Sequence, residues 1–313
     1  MRLVVTFAFS LIALSLIPLS IRSAVFAAPN FPSTSRSYPG SFPCDTTLQA
    51  CINGSSDGDV INIAAGVYIT GVTLNKAVSL IGVGSASTII QALTGQRVIT
   101  VTAVLTGSTQ ISNMTIQGGN AGAANGGGIF LSAGAQPLIQ NVSVIANFAQ
   151  SGGGIYASSA LTLINVTINN NAATNGSGGG LYAAGSANIS GSTIQNNTVI
   201  TNGYGGGALV NGSFTGTNTN FSGNIVNNGY DGGGLYAGGA IALTGGQFVN
   251  NQTTHREGYG GGGGLIGFGA ANISGTLFSG NSSSDWGGGA YLAYFANTAP
   301  SLLTNIQFIS NSA

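Results

Sequence analysis

The stretch Ser151-Gly-Gly-Gly-Ile-Tyr156, "SGGGIY", places three consecutive glycines directly ahead of an apolar pair. Glycine loses more backbone freedom on folding than any other residue, so a strand that starts on a triplet needs compensation from its surroundings. The triplet recurs: its first glycine falls at Gly126, Gly152, Gly178, Gly205, Gly232, Gly262 and Gly287, in steps of 26, 26, 27, 27, 30 and 25 residues. A fixed period of this length is the mark of a repeat architecture and governs every other reading of the chain.

Each unit carries a second signature, an apolar or aromatic residue followed three positions later by Asn. It runs Val144 to Asn147, Ile168 to Asn171, Ile194 to Asn197, Phe221 to Asn224, Phe248 to Asn251, Phe278 to Asn281 and Phe308 to Asn311. Between the two signatures lie alternating segments such as "LTLINVTI" from Leu161, which have strand period. Each repeat thus offers two or three short β segments separated by Gly, Asn and Ser turns, with no helical pattern. A unit this small cannot bury its own apolar face, so successive units must stack. Stacked short strands with common turn points give an all-β, right-handed, single-stranded parallel β-helix, one repeat per coil, with coils about 4.8 Å apart. The Asn residues then form an internal ladder that satisfies buried turn backbone. The residues after each triplet, Ile129, Ile155, Leu181, Ala208, Leu235, Leu265 and Ala290, form an inward column, and Phe130, Tyr156, Tyr182, Tyr236 and Tyr291 an outward one. That outward column reads either as a sheet-stabilising stack or as a glycan-binding face.

The 313 residues are 43% hydrophobic and only 4% charged, with six basic and six acidic side chains. A nucleic-acid partner is excluded, because the phosphate backbone needs a Lys/Arg footprint. A mean hydropathy of +0.35 argues against disorder. Residues 1–27 read as a signal peptide, with one Arg, an apolar run from Leu3 to Ile21 and small residues before Ala28. The run is close to membrane-spanning length, so an uncleaved anchor is the alternative. Residues 28–43 are Pro/Ser-rich and read as a linker, and no further membrane span is expected. The β-helix domain then takes residues 44–313: a cap over 44–54, first coils over 55–120 and the repeats over 121–313. The last repeat ends directly after its Asn motif at Asn311, which is read as a domain incomplete at that end.

The cap segment "CDTTLQACING" has a helical pattern with Asp45 as N-cap and Gly54 as stop. It would cover the open end of the sheet, an edge that otherwise invites aggregation. Cys44 and Cys51 in one helix would stand about 10 Å apart, too far for a bridge. A disulfide therefore requires Cys44 to precede the helix and fold back, and the two arrangements stay open.

The triplets together with Phe-x-x-Asn resemble the repeats of chlamydial polymorphic outer membrane proteins, whose pattern is GGA(I/L/V) paired with FxxN. Here the third position is Gly rather than Ala. The entry "TLQACINGSSDGDVINIAAGVYITGVTLNKAVSLIGVG" is similar to the start of pectate-lyase-like β-helix domains of exported bacterial proteins. The resemblance spans roughly residues 44 to 313 and implies fold and export rather than activity. The enzymes of this fold use clustered carboxylates, with Ca²⁺ and a basic residue in the lyases.

Asp231, Glu257 and Asp285, with Arg256 and His255, are the candidates for such chemistry. Tyr204, Tyr230, Tyr259 and Trp286 lie beside them, so an aromatic and carboxylate strip on one edge becomes a candidate site for sugar or protein ligands. The competing reading is a set of solvated corners with aromatic covers. "GVGSAS" at Gly82 is not a dinucleotide fingerprint, since no helix pattern follows. Sequons such as Asn165-Val-Thr and Asn188-Ile-Ser are numerous in so Asn-rich a chain. The expectation is an exported, extracellular or cell-surface scaffold with an adhesive or glycan-binding role and no cofactor. A polysaccharide lyase or glycoside hydrolase, using Ca²⁺ if a lyase, is the alternative, and a purely structural spacer is the third reading.

Overall fold

In the computed structural model, residues 33–105, 108–254, 261–293 and 300–313 are described. They form a parallel β-solenoid with three sheets along its length and a single short helix, Leu48–Asn53. The coil that starts at Gly178 shows the unit. Strand Leu181–Ala183 leads to Ala187–Ser190, then Thr193–Gln195, then Thr198–Val199, and each pairs in parallel with its equivalent on the next coil. The unit holds four short strands rather than two or three. The segment "LTLINVTI" is not one strand, because it bends at Asn165 between Leu161–Ile164 and Thr167–Asn169.

Three stacked columns of left-handed backbone make the corners. The first glycine of every triplet has φ between 58° and 72°. A second column runs through Asn113, Asn141, Asn165, Gly191, Asn218, Gly245, Gly275 and Asn305, and a third through Ala146, Asn170, Asn196, Gly223, Asn250, Gly280 and Ser310. The last two columns accept Asn, which tolerates this conformation. The first does not, because a Cβ at Gly126 would lie 2.6 Å from the carbonyl of Ile129. The third glycine has a different reason: at Gly180 a Cβ would meet the Gly207 carbonyl at 2.7 Å and the Asn197 amide carbon at 2.8 Å. Coil-to-coil hydrogen bonds such as Gly178 N–H to Tyr204 O and Leu181 N–H to Gly207 O continue through the corner. They offset the entropy that the glycines lose.

The ladder of Asn147, Asn171, Asn197, Asn224, Asn251 and Asn281 is buried. In each rung the side-chain N–H₂ donates to the next Asn Oδ1 and to a main-chain carbonyl of the preceding coil; Asn197 reaches Asn224 Oδ1 at 3.0 Å and Ile168 O at 2.9 Å. Its own Oδ1 accepts from the N–H and the side chain of Asn171. All four hydrogen-bonding directions of the amide are thereby used. Beside the ladder Phe221, Phe248, Phe278 and Phe308 stack at 4.7, 4.9 and 4.9 Å. The inward column from Ile129 to Leu265 is buried in the core, with Ala290 packed against it.

The N-terminal end differs from the expectation in two ways. Ser35–Tyr38, placed in the linker by composition, is a strand that pairs with Val60–Ile63. The backbone pairing decides there, over the Pro and Ser content. The helix N-cap is Thr47, whose hydroxyl accepts from Ala50 N–H, and not Asp45. Cys44 lies in the turn ahead of the helix and is bonded to Cys51, so the folded-back arrangement holds. Gly54 ends the helix, as its position suggested, in right-handed rather than left-handed backbone. The helix covers the sheet edge through Gln49, whose amide donates to Thr73 O and accepts from Thr73 N–H. In that way it takes the place of a missing strand.

Candidate functional site

The positions just ahead of the triplets form one register column, Ser151, Ser177, Tyr204, Asp231, Gly261 and Trp286, because each following glycine N–H donates to the next member's carbonyl. Ser151 and Ser177 accept through their hydroxyls from the N–H of Ser177 and Tyr204. Asp231 does the same through Oδ1 with Gly261 N–H, at 2.6 Å. Its carboxylate therefore braces the next corner in the way the serines brace theirs.

Tyr204 stacks on Tyr230 at 4.8 Å and meets Tyr236 at 5.0 Å, and Tyr236 meets Phe268 at 5.2 Å. Burial first pushes the hydroxyls of Tyr204 and Tyr236 up, followed by the Asp231 carboxylate at Tyr204 and by Tyr204 and then Asp231 at Tyr236, so both stay neutral donors. The structure thus brings Tyr204, Tyr230 and Asp231 together and adds Tyr236 and Phe268.

Asp285 and Trp286 stand two coils beyond Asp231, roughly 10 Å along the axis at the usual strand spacing. At that separation Asp231 and Asp285 do not converge on one ion, and Ca²⁺ requires six or more oxygens. Among the described residues no group of three His, Cys, Asp or Glu is placed to hold a metal. The candidates His255, Arg256, Glu257 and Tyr259 lie outside the described residues.

The first three rings of the outward column are taken up by one another. Phe130, Tyr156 and Tyr182 are parallel within 8°, with centroids 5.6 and 4.7 Å apart. Their faces point along the solenoid axis at each other and leave only edges to solvent. Trp286 is different: it is 54% exposed, and Tyr291 lies against it at 5.9 Å.

Arg97 escaped the reading of the sequence. Ile99 pairs with Ile129, so Arg97 falls where the middle glycine of a triplet stands one coil later. Its guanidinium lies 4.7 Å over the Phe130 ring, opposite Tyr156. Nε and one terminal nitrogen donate to the carbonyls of Gly126 and Asn125, and the other terminal nitrogen donates to the Thr100 hydroxyl. The available signal was the missing triplet at 96–98.

A family model described as a right-handed β-helix region matches residues 60–226 and 103–278. No curated protein matches the sequence at a significant level. Among solved structures, the chain is similar to a pectin methylesterase mutant in complex with a hexasaccharide, at 14% identity and a TM-score of 0.39, over 87% of this chain and 93% of that one. It is similar to the Aspergillus niger pectin methylesterase at 13% identity and a TM-score of 0.38, over 90% and 87%. A third likeness is to Escherichia coli YbhC, at 12% identity and a TM-score of 0.36, over 96% and 89%. Among the described residues no helix is long and apolar enough to cross a membrane.

Proposed function

The chain belongs to the right-handed β-helix family, and we propose that it is an exported, extracellular or cell-surface scaffold that holds a saccharide along the Tyr204 to Trp286 edge. The observation that carries this reading is Trp286, more than half exposed with Tyr291 against it, whereas Phe130, Tyr156 and Tyr182 on earlier coils are spent on one another. A broad apolar ring kept in water at a rigid corner is the kind of surface that ligands cover. Neutral tyrosine hydroxyls and the Asp285 carboxylate nearby supply hydrogen-bonding groups for sugar hydroxyls. Export is supported by the apolar leader-like segment of the sequence and by the Cys44–Cys51 bridge, which persists in oxidising compartments.

Trp286 is the chain's sole tryptophan, so its fluorescence reports on this edge alone. Titration with a panel of neutral and acidic polysaccharides, with and without Ca²⁺, is expected to shift its emission for at least one member, with no new chain ends released. Retention on that polysaccharide is expected to vanish in Trp286→Ala while the thermal midpoint stays put. New chain ends that disappear in Asp231→Ala or Asp285→Ala would overturn the scaffold in favour of a lyase or hydrolase. An unresponsive tryptophan would leave a spacer.

A further inference from the structure

The first coils carry a groove of about 340 Å³ on the outside of the sheet that begins at Val72–Leu74, lined by Gly71, Thr73, Gln96, Arg97, Thr100 and Ala121. It lies where the corner lacks a triplet. Gln96 and Arg97 take the places of two glycines there, so side chains stand out from a corner that is bare on every later coil. We propose that this groove binds a sugar acid, with its carboxylate on Arg97.

Three observations carry the assignment. Arg97 is a half-buried cation with no carboxylate against it; the ion pair among the described residues is Arg36 with Asp59. Guanidinium has five N–H donors, and Arg97 uses three, on Gly126 O, Asn125 O and Thr100 Oγ1. One N–H on each terminal nitrogen is left over on a side chain that lines the groove. A guanidinium fork matches a carboxylate, and a charge-assisted pair is stronger than a neutral one. The guanidinium is also fixed in place, by the Phe130 ring beneath it and by three acceptors, so little side-chain freedom is lost when an anion binds. The rest of the lining is uncharged. Thr73 and the exposed Gln96 amide offer hydrogen bonds to hydroxyls, which makes a hydroxylated acid a better fit than a bare anion.

The site is separate from Trp286 and does not rest on it. The test compares glucuronate with glucose, which share a ring and differ in the carboxylate, by titration calorimetry on the purified protein at low salt. Glucuronate is expected to bind about tenfold or more tightly than glucose, and less tightly as salt is added. Arg97→Gln is expected to abolish the difference. Because Arg97 also ties two coils together, Gln96→Glu is the cleaner variant: it leaves each bond of Arg97 in place and sets a carboxylate in the groove, and glucuronate binding is expected to disappear. Trp286→Ala is expected to leave it unchanged. Equal affinity for glucose and glucuronate, or glucuronate binding that survives Gln96→Glu, overturns the site. Acetate binding as tightly as glucuronate overturns the sugar part of the assignment.

Discussion

The coils before the first triplet and the coils after it are built on one cross-section by different means. From Gly126 onward, each coil is held by the same devices in the same register: an Asn rung, an apolar or aromatic rung beside it and three left-handed corners. Before Gly126 almost every tie is singular. Gln49 closes the sheet edge on Thr73, Lys76 holds the carbonyls of Asn53 and Ser55, Asp57 accepts from Ala77 N–H, and Arg97 clamps the next coil. Charge follows the same division. Arg36, Asp45, Asp57, Asp59, Lys76 and Arg97 precede the first triplet, whereas Asp231 and Asp285 are the charged described residues after it. Within the described repeats backbone and amide groups carry most of the coil interface, with the Asp231 carboxylate as an exception, whereas the described coils before the pattern lean on charged side chains.

The largest effect that tests this contrast is Asn197→Ala. It strips two acceptors of their donor and two donors of their acceptor inside a buried row, at about 4 kcal/mol for four bonds. Chemical denaturation is expected to show that loss in full. A loss under about 1 kcal/mol would mean that the ladder is not what holds the repeats. Next comes Gly180→Val, expected to cost about 3 kcal/mol because neither the Gly207 carbonyl nor the Asn197 amide can retreat. In the coil without a triplet the equivalent position is Val98, which is already a buried valine, so Val98→Ala is expected to destabilise the protein by about 1 kcal/mol rather than relieve it.

The most local effect belongs to the N-terminal coils alone. Burial raises the Asp59 carboxyl, but the Ser56 N–H, the Thr34 hydroxyl and N–H, and the Arg36 guanidinium more than reverse this and bring it to about 2, against 3.8 unperturbed. A carboxylate held below its unfolded value stabilises the fold above that value, and the contribution is lost on acidification through the folded one. On the order of 2 kcal/mol is therefore expected to disappear between about pH 4 and pH 2. Amide exchange is expected to accelerate in that window around Ser35–Tyr38 and Val60–Ile63, and not around Phe248. Asp59→Asn is expected to flatten the response. Uniform acceleration along the solenoid would erase the distinction between the two regions.

The same contrast explains what could be read from the sequence. The triplet and the Asn row announce the solenoid because a stacked column must reuse one residue type at each level. The second corner column was hidden: it admits Asn or Gly, and Asn165 sits inside an alternating run that imitates a longer strand. Ser35–Tyr38 was hidden by its Pro and Ser neighbours, since its strand character comes from Val60–Ile63 rather than from its own side chains. At the candidate site, Tyr204, Tyr230 and Asp231 were legible as neighbours, but the bracing role of Asp231 depends on a register that only its equivalence to Ser151 and Ser177 reveals. Arg97 had no signature except a gap in the repeat.

The shared register of the columns has a consequence for heredity. Leu181–Gly207 is one complete turn, so excising it would join Gly180 to Ala208 with each corner, Asn and core position still opposite its own kind. Loss or duplication of a coil-sized stretch of coding sequence is then a change of length rather than of fold. Along this part of the molecule the smallest quantity that can be gained or lost without penalty to its neighbours is not a residue but a turn.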